Sequence, residues 1–311
     1  MAGLSSVKHV LRLRDLELED VLFVLETASR MKGTPDAFAD KAARRCLLLL
    51  LQKTSTRTAL SFQAAIHGVG GFAVVLNWQD SNFSISPLEY EIRYASLDCD
   101  LVVARLRTHA DLEGLAEHSS SPVINGCDDR YHPSQVLADL LTIQETIGAI
   151  SGTTVCYVGV RNNVASGLIE AAHLLQFRLL LVTPVKNPAA TDAGLDQLVE
   201  TSAWVEERES LASAAAEADF VYTDTWVDME EYADPAFENV RSQRIERMKP
   251  FQVSPENLGF AAPWIMHPMP IHPGFEISAD LIESSKSLIY AQSANRRYTQ
   301  QALILWCLGI S

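Results

Sequence analysis

Apolar runs of strand length that alternate with longer helical patterns predict an α/β chain of two doubly wound parallel-sheet domains linked by helices. Two further observations point the same way. The alternation occurs twice, on either side of Gly148-Ala149-Ile150-Ser151-Gly152, and polar clusters follow the ends of the strands, where open parallel sheets gather their ligands. The expected division is 1–147, completed by a closing segment at 295–311, and 148–294.

In the first half, strands are expected at 46–51, 72–76, 101–105 and 122–125, with helices over 18–31 and 111–117. The run from Ala59 to Ile66 reads as a helix that follows the first strand directly. Residues 133–147 have helical periodicity, with Val136, Leu140, Ile143 and Ile147 on one face and Pro133 at the favoured first position. This segment is expected to join the domains. In the second half, strands are expected at 153–158, 179–183, 220–223 and 289–292, and helices over 165–176 and 211–217. Residues 298–308 read as a closing helix that packs back on the first domain.

The 311 residues, 48% hydrophobic and 21% charged, are enough for two domains that each bury a core. A formal net charge of −14 argues against a nucleic-acid or anionic-membrane partner, either of which requires a basic face. It leaves room for a small anion held by a few convergent arginines. The first residues lack the apolar core of a signal peptide, and no apolar run approaches membrane-spanning length. The five cysteines are scattered, with no CxxC pair, and Cys46, Cys156 and Cys307 read as packed thiols. A cytoplasmic, reduced protein is expected.

The densest chemistry lies in Ser55-Thr56-Arg57-Thr58, between the first strand and its helix. A helix N-terminus offers unpaired N–H groups and a favourable dipole to an anion, and Arg57 adds a planar fork suited to phosphate oxygens. The tetrapeptide alone reads equally well as a cap. His132-Pro133-Ser134-Gln135 opens the joining helix and offers an imidazole and an amide; a capping histidine with a solvated glutamine is the bland alternative. In Met266-His267-Pro268-Met269-Pro270-Ile271-His272-Pro273-Gly274, alternating prolines hold an extended backbone whose carbonyls can face a ligand. Rigidity is a better account of this loop than metal binding by His267 and His272, which lack metal-ligand spacing. Asn162-Asn163 follows Gly159 without a nucleotide-loop pattern, and Tyr222-Thr223-Asp224-Thr225-Trp226-Val227-Asp228-Met229 is an acidic, aromatic loop that ordinary Asx-turn chemistry also explains. Asn295-Arg296-Arg297 is expected to open the closing helix, where adjacent arginines oppose the dipole and call for an anionic partner.

Taken in order, these segments resemble the aspartate/ornithine carbamoyltransferase family over nearly the whole chain. Lys53-Thr54-Ser55-Thr56-Arg57-Thr58 is similar to its carbamoyl-phosphate signature, and Pro122-Val123-Ile124-Asn125-Gly126 with His132-Pro133-Ser134-Gln135-Val136-Leu137-Ala138-Asp139 to its central block. Tyr222-Thr223-Asp224-Thr225-Trp226 and Asn295-Arg296 resemble the ornithine branch; a basic residue at Ile271 and a lysine loop near 80–90 would mark the aspartate branch. The resemblance implies a carbamoyl-phosphate domain followed by an amine-substrate domain, and a homotrimer with active sites at subunit boundaries. It implies no metal and no organic cofactor. Ser55, Thr56, Arg57 and Thr58 would hold the phosphate. Arg105, Thr58 and His132 would polarise the carbamoyl oxygen, while Gln135, Arg296 and the carbonyl near Met269 would orient the carbamoyl group. Asn162, Asn163, Asp224, Asp228, Met229, His267, Pro268 and Met269 would line the substrate side. A neighbouring chain would complete the site, with residues 78–88 the best candidate for its contribution.

The departures fall mostly on the amine side. Asp228-Met229-Glu230 replaces the branch's Ser-Met-Gly, and Pro268 replaces its cysteine. A carboxylate at Asp228 facing the ligand would repel a substrate carboxylate and attract a cation. Ala59, Ala294 and Val160 stand where the family has arginine, glutamate and aspartate. The expectation is therefore a carbamoyltransferase acting on a nonstandard amino-acid, polyamine or guanidino-type acceptor. The alternatives are an ordinary ornithine carbamoyltransferase and a noncatalytic binding protein on the same fold.

Overall fold

The first strand, β1 (Cys46–Leu51), is five consecutive leucines after Cys46, and all five leucines are buried. A parallel strand covered on both faces carries an unbroken apolar run of this kind. In the computed structural model, which describes residues 7–227 and 235–310, β1 pairs in parallel with β2 (Phe72–Asn77) on one side and β3 (Leu101–Arg105) on the other. With β4 (Val123–Asn125) beyond β3, the sheet order is β2-β1-β3-β4. Strand order therefore reverses between β1 and β3, and the loops that leave these two strands open on a crevice there. Register sets Leu51 opposite Arg105, so both strands end at one level.

The helices follow from their apolar stripes and caps. Val21, Val24, Leu25, Ala28 and Met31 form the buried stripe of α1 (Leu18–Gly33). Helix α2 (Thr56–Gly68) buries Thr58, Phe62, Ala65 and Ile66. Helices α3 (Leu88–Ala95) and α4 (His109–His118) follow, the latter capped by Thr108, whose hydroxyl accepts from the Asp111 N–H. Helix α5 (Pro133–Ile147) starts at the proline, as its sequence predicts. This unit runs to Leu141 and takes in the chain again from Asn295.

The second unit, Thr142–Ala294, holds a parallel five-stranded sheet in the order β7-β6-β5-β8-β9. Its strands are β5 (Thr154–Arg161), β6 (Arg178–Lys186), β7 (Val205–Glu207), β8 (Phe220–Thr223) and β9 (Trp264–Met266). The switch point here lies between β5 and β8. Helices α6 (Asn163–Leu175), α7 (Ala193–Thr201) and α8 (Leu211–Glu217) belong to this unit, and Leu211, Ala214 and Ala215 pack with Cys156, Val158, Leu180 and Val221. Burial pushes the Cys156 thiol up to about 12, as for a packed, inert cysteine, and Cys307 is buried too; Cys46 is only half-buried.

Several expectations are corrected. Residues 289–292 are the first turn of a 19-residue helix, Ile289–Cys307, and the outer strand of the second sheet is β9 instead. A short apolar run fits a strand or a buried helix equally, and here the continuing helix decides. Asn295-Arg296-Arg297 consequently lies in the second turn of that helix, so the dipole argument for a partner does not apply. Strand β7 was missed because two of its three residues are exposed glutamates. Within residues 78–88, Trp78–Asp80 and Asn82–Ser84 form single 3-10 turns around buried Phe83, whose ring sits 5.6 Å from that of Trp78.

Candidate active site

The junction of β1 and α2 does not behave as a simple cap. Ser55 occupies the N-cap position but accepts no capping bond, and its buried Oγ has no hydrogen-bond partner among the described residues. Thr58, 2% exposed, turns its hydroxyl toward the Gly126 carbonyl at a long 3.5 Å. Thr56 is exposed and Arg57 half-buried in the first turn. An uncommitted hydroxyl at a helix N-terminus, where N–H groups are also unpaired, is a ready donor to an anion.

Arg57, Arg105 and Arg296 are close enough to feel one another's charge. Arg296 is 3% exposed, and burial first, then Arg57 and Arg105, lower its pKa to about 10. It remains a cation at neutral pH. One of its N–H groups bonds the Gln135 Oε1, while Nε and Nη2 have no partner among the described residues. Gln135 is oriented in turn by donating to Asp139 at 2.8 Å. The buried Nε of Arg105 is likewise unpartnered among the described residues. His132, 8% exposed, is held well below the usual imidazole range by burial and then by Arg296, Arg105 and Arg57. The imidazole is therefore neutral, a hydrogen-bonding group among cations. Buried donors without acceptors cost free energy, and several gathered close together describe a site for an anion rich in oxygen.

In the second unit, Asn162 closes the end of β5 and caps α6, its Oδ1 accepting from the N–H groups of Val164 and Ala165. Its Nδ2 donates to Asp224 Oδ2 at 2.7 Å, and the Thr225 N–H donates to Asp224 Oδ1 at 2.7 Å. The Asp224 carboxyl is raised by burial and drawn back by His267 and by Asn162. Asn163 is half-buried in the first turn of α6. Buried His267 accepts the Met269 N–H at Nδ1, 2.9 Å, and turns Nε2 to Glu276 at 3.2 Å. Glu276 also accepts the His272 N–H at 2.6 Å, so the proline-framed loop is fixed by one buried carboxylate. Pro268 is buried, and Met269 has φ of +60°. Asp228 and Met229 lie outside the described residues.

Three supporting residues escaped the sequence reading: Glu276, and His109 and Asp128, whose side chains meet at 2.6 Å beside the segment that leads to His132. Their only signal is charge or imidazole inside otherwise apolar or turn-forming runs. Among the described residues, no group of three or more His, Cys, Asp or Glu is placed to hold a metal ion, and no helix is long and apolar enough to cross a membrane.

The comparisons with known proteins agree with this geometry. Residues 8–145 match the aspartate/ornithine carbamoyltransferase carbamoyl-P binding domain, and residues 151–307 match the family's Asp/Orn binding domain. An ornithine carbamoyltransferase of Archaeoglobus fulgidus is 32% identical over 308 residues, spanning 97% of this chain and 98% of its own. That of Acinetobacter baylyi is 34% identical over 309 residues, with 98% of each chain covered. Among solved structures, the ornithine carbamoyltransferase from Pyrococcus furiosus superposes with a TM-score of 0.89 at 32% identity, covering 97% of both chains.

Proposed function

Because the chain belongs to the aspartate/ornithine carbamoyltransferase family, and is itself a carbamoyltransferase, we propose that it transfers the carbamoyl group of carbamoyl phosphate to the side-chain amine of ornithine, releasing phosphate. The observation that carries this reading is the convergence of Arg57, Arg105 and Arg296 around a neutral His132, with Arg105 Nε and Arg296 Nε and Nη2 unpartnered among the described residues. Ser55, Thr56, Arg57 and Thr58 take the phosphate. Arg105, Thr58 and His132 donate to the carbamoyl oxygen, and Gln135, Arg296 and the Met269 carbonyl orient the group. The neutral amine attacks the carbonyl carbon, a C–N bond forms, the C–O bond to phosphate breaks, and the departing phosphate accepts the amine proton. The fixed donors meet charge that grows on the carbamoyl oxygen, and removal of one such donor costs ~3–4 kcal/mol of barrier.

The part of the chain up to residue 147, with 295–311, binds carbamoyl phosphate, and 148–294 binds the amine. Asn162, Asn163, Asp224, His267, Pro268 and Met269 serve the acceptor, together with Asp228 and Met229. A buried Asp224 carboxylate, destabilised by its surroundings, favours a ligand bearing an ammonium group. The relatives named above are ornithine enzymes along their full length, which supports ornithine over the nonstandard acceptor that the sequence departures suggest. That second reading retains two specific supports, Pro268 in place of a cysteine and the acidic Asp228. The working form is a homotrimer with active sites at subunit boundaries, supported by family membership and by an edge strand that leaves Phe72, Val74 and Val75 exposed. A cytoplasmic location is supported by five cysteines that are all free thiols.

Mass-spectrometric detection of ureido products from carbamoyl phosphate and an amine panel tests the proposal. The panel comprises ornithine, lysine, putrescine, aspartate and guanidino compounds. Ornithine is expected to be the preferred acceptor, with Arg57→Ala inactive. Preference for another amine would establish the second reading, and silence across the panel would contradict both.

A further inference from the structure

The segment from Gly126 to Tyr131 delivers both Gly126, whose carbonyl faces Thr58, and His132. It is neither helix nor strand, so something outside regular secondary structure must hold it. Asp128 does so. Its carboxylate, 1% exposed, accepts on Oδ1 from the N–H groups of Arg130 (2.7 Å) and Tyr131 (2.6 Å). On Oδ2 it accepts from Asn125 Nδ2 (2.8 Å) and His109 Nδ1 (2.6 Å). Four donors occupy about the four lone-pair sites that a carboxylate offers. His109, at the start of α4 and 1% exposed, ties the loop a second time: its own N–H donates to Asp129 Oδ1 at 2.8 Å. Its ring also meets the Tyr131 ring edge-on, with centroids 4.9 Å apart. The next residue in the chain is His132.

We infer that the buried His109–Asp128 pair is a positioning device that sets His132 against the reacting carbamoyl oxygen. The inference rests on the reading of His132 given above and adds residues that touch no substrate. The phosphate is held from elsewhere, by the α2 N-terminus and by arginines on α2 and β3. Loosening the loop therefore leaves ground-state binding of carbamoyl phosphate in place and removes an interaction that strengthens in the transition state. Such a change lowers kcat with little change in KM, and a displacement of about 1 Å costs up to ~100-fold.

The test compares His109→Leu, His109→Asn and His132→Asn in the full-length protein. Asparagine at 109 restores a donor near the place of Nδ1; leucine cannot. His109→Leu is expected to lose between about 10- and 100-fold in kcat, with KM for carbamoyl phosphate changed less than about threefold, and His109→Asn to recover most of that loss. A thermal-shift measurement confirms that each variant is folded under assay conditions. If His109→Leu keeps its kcat, or if folded His109→Asn is as slow as His109→Leu, the positioning role is overturned. If His132→Asn itself keeps full kcat, the reading of His132 fails first, and the two failures are distinct. Should His109→Leu not fold, Asp128→Asn replaces it, and an unchanged kcat there equally overturns the inference.

Discussion

Guanidinium groups that share a pocket repel one another, and Arg296 registers this directly in a pKa lowered to about 10 by burial, Arg57 and Arg105. The cluster is thus unfavourable until an anion arrives. Arg57 is half-buried on the first turn of α2, and its removal relieves part of this repulsion. Arg57→Ala is expected to melt no lower than the parent without ligand, yet to lose the stabilisation that carbamoyl phosphate confers. That stabilisation is ~2.7 kcal/mol at a hundred times the dissociation constant, and differential scanning fluorimetry reads it. His132 makes a pH prediction. Its folded-state pKa lies well below 6.5, so below that pH the unfolded chain binds a proton that the folded chain does not. Stability rises with pH wherever the unfolded state holds more protons. The parent therefore loses stability as pH falls below about 6.5, and His132→Asn is expected to show a shallower loss in urea titrations between pH 7 and 5.

Strand ends and helix turns bring these residues together, and a few side chains bind element to site. Asn162 both caps α6 and holds the buried Asp224. Asn162→Ala removes a cap and leaves a carboxylate short of a donor, a loss on the order of 2–3 kcal/mol by urea denaturation together with a raised KM for the amine. How far elements were legible in sequence depended on their length and setting. The β1–α2 junction was plain, because five leucines followed by hydroxyls and an arginine have few other readings. Strand β9 is three residues long beside Pro263 and Pro268, too short for a periodic signal, and the start of the C-terminal helix imitated the missing strand. The contact of Arg296 with Gln135 spans 161 positions and was accessible only through family resemblance. The tie from His109 to Asp128 spans 19, and neither residue belongs to a motif that spacing alone would single out.

At the scale of the molecule, a chain of net charge −14 gathers Arg57, Arg105 and Arg296 close together, and in the proposed reaction this local positive charge receives the anionic substrate. Strand β2 is the open edge of the first sheet, and Phe72 and Val74 stand 51% and 42% exposed along one face of it. Edges of this kind are usually covered or charged. In the proposed trimer a neighbouring subunit covers this one. Val74→Lys is expected to shift the sedimentation equilibrium from trimer toward monomer and to lower turnover in parallel; a trimer unaffected by the change would place the subunit contact elsewhere.

The most direct test is the steady-state kcat/KM for ornithine at saturating carbamoyl phosphate, set beside the best other amine of the panel. A value of about 10⁴ M⁻¹s⁻¹ or more is expected for ornithine, within the ordinary enzymatic range, and higher than for any competitor. A value below about 10² M⁻¹s⁻¹ for ornithine, two decades short of that range, with another amine carbamoylated faster, would contradict it and identify the acceptor.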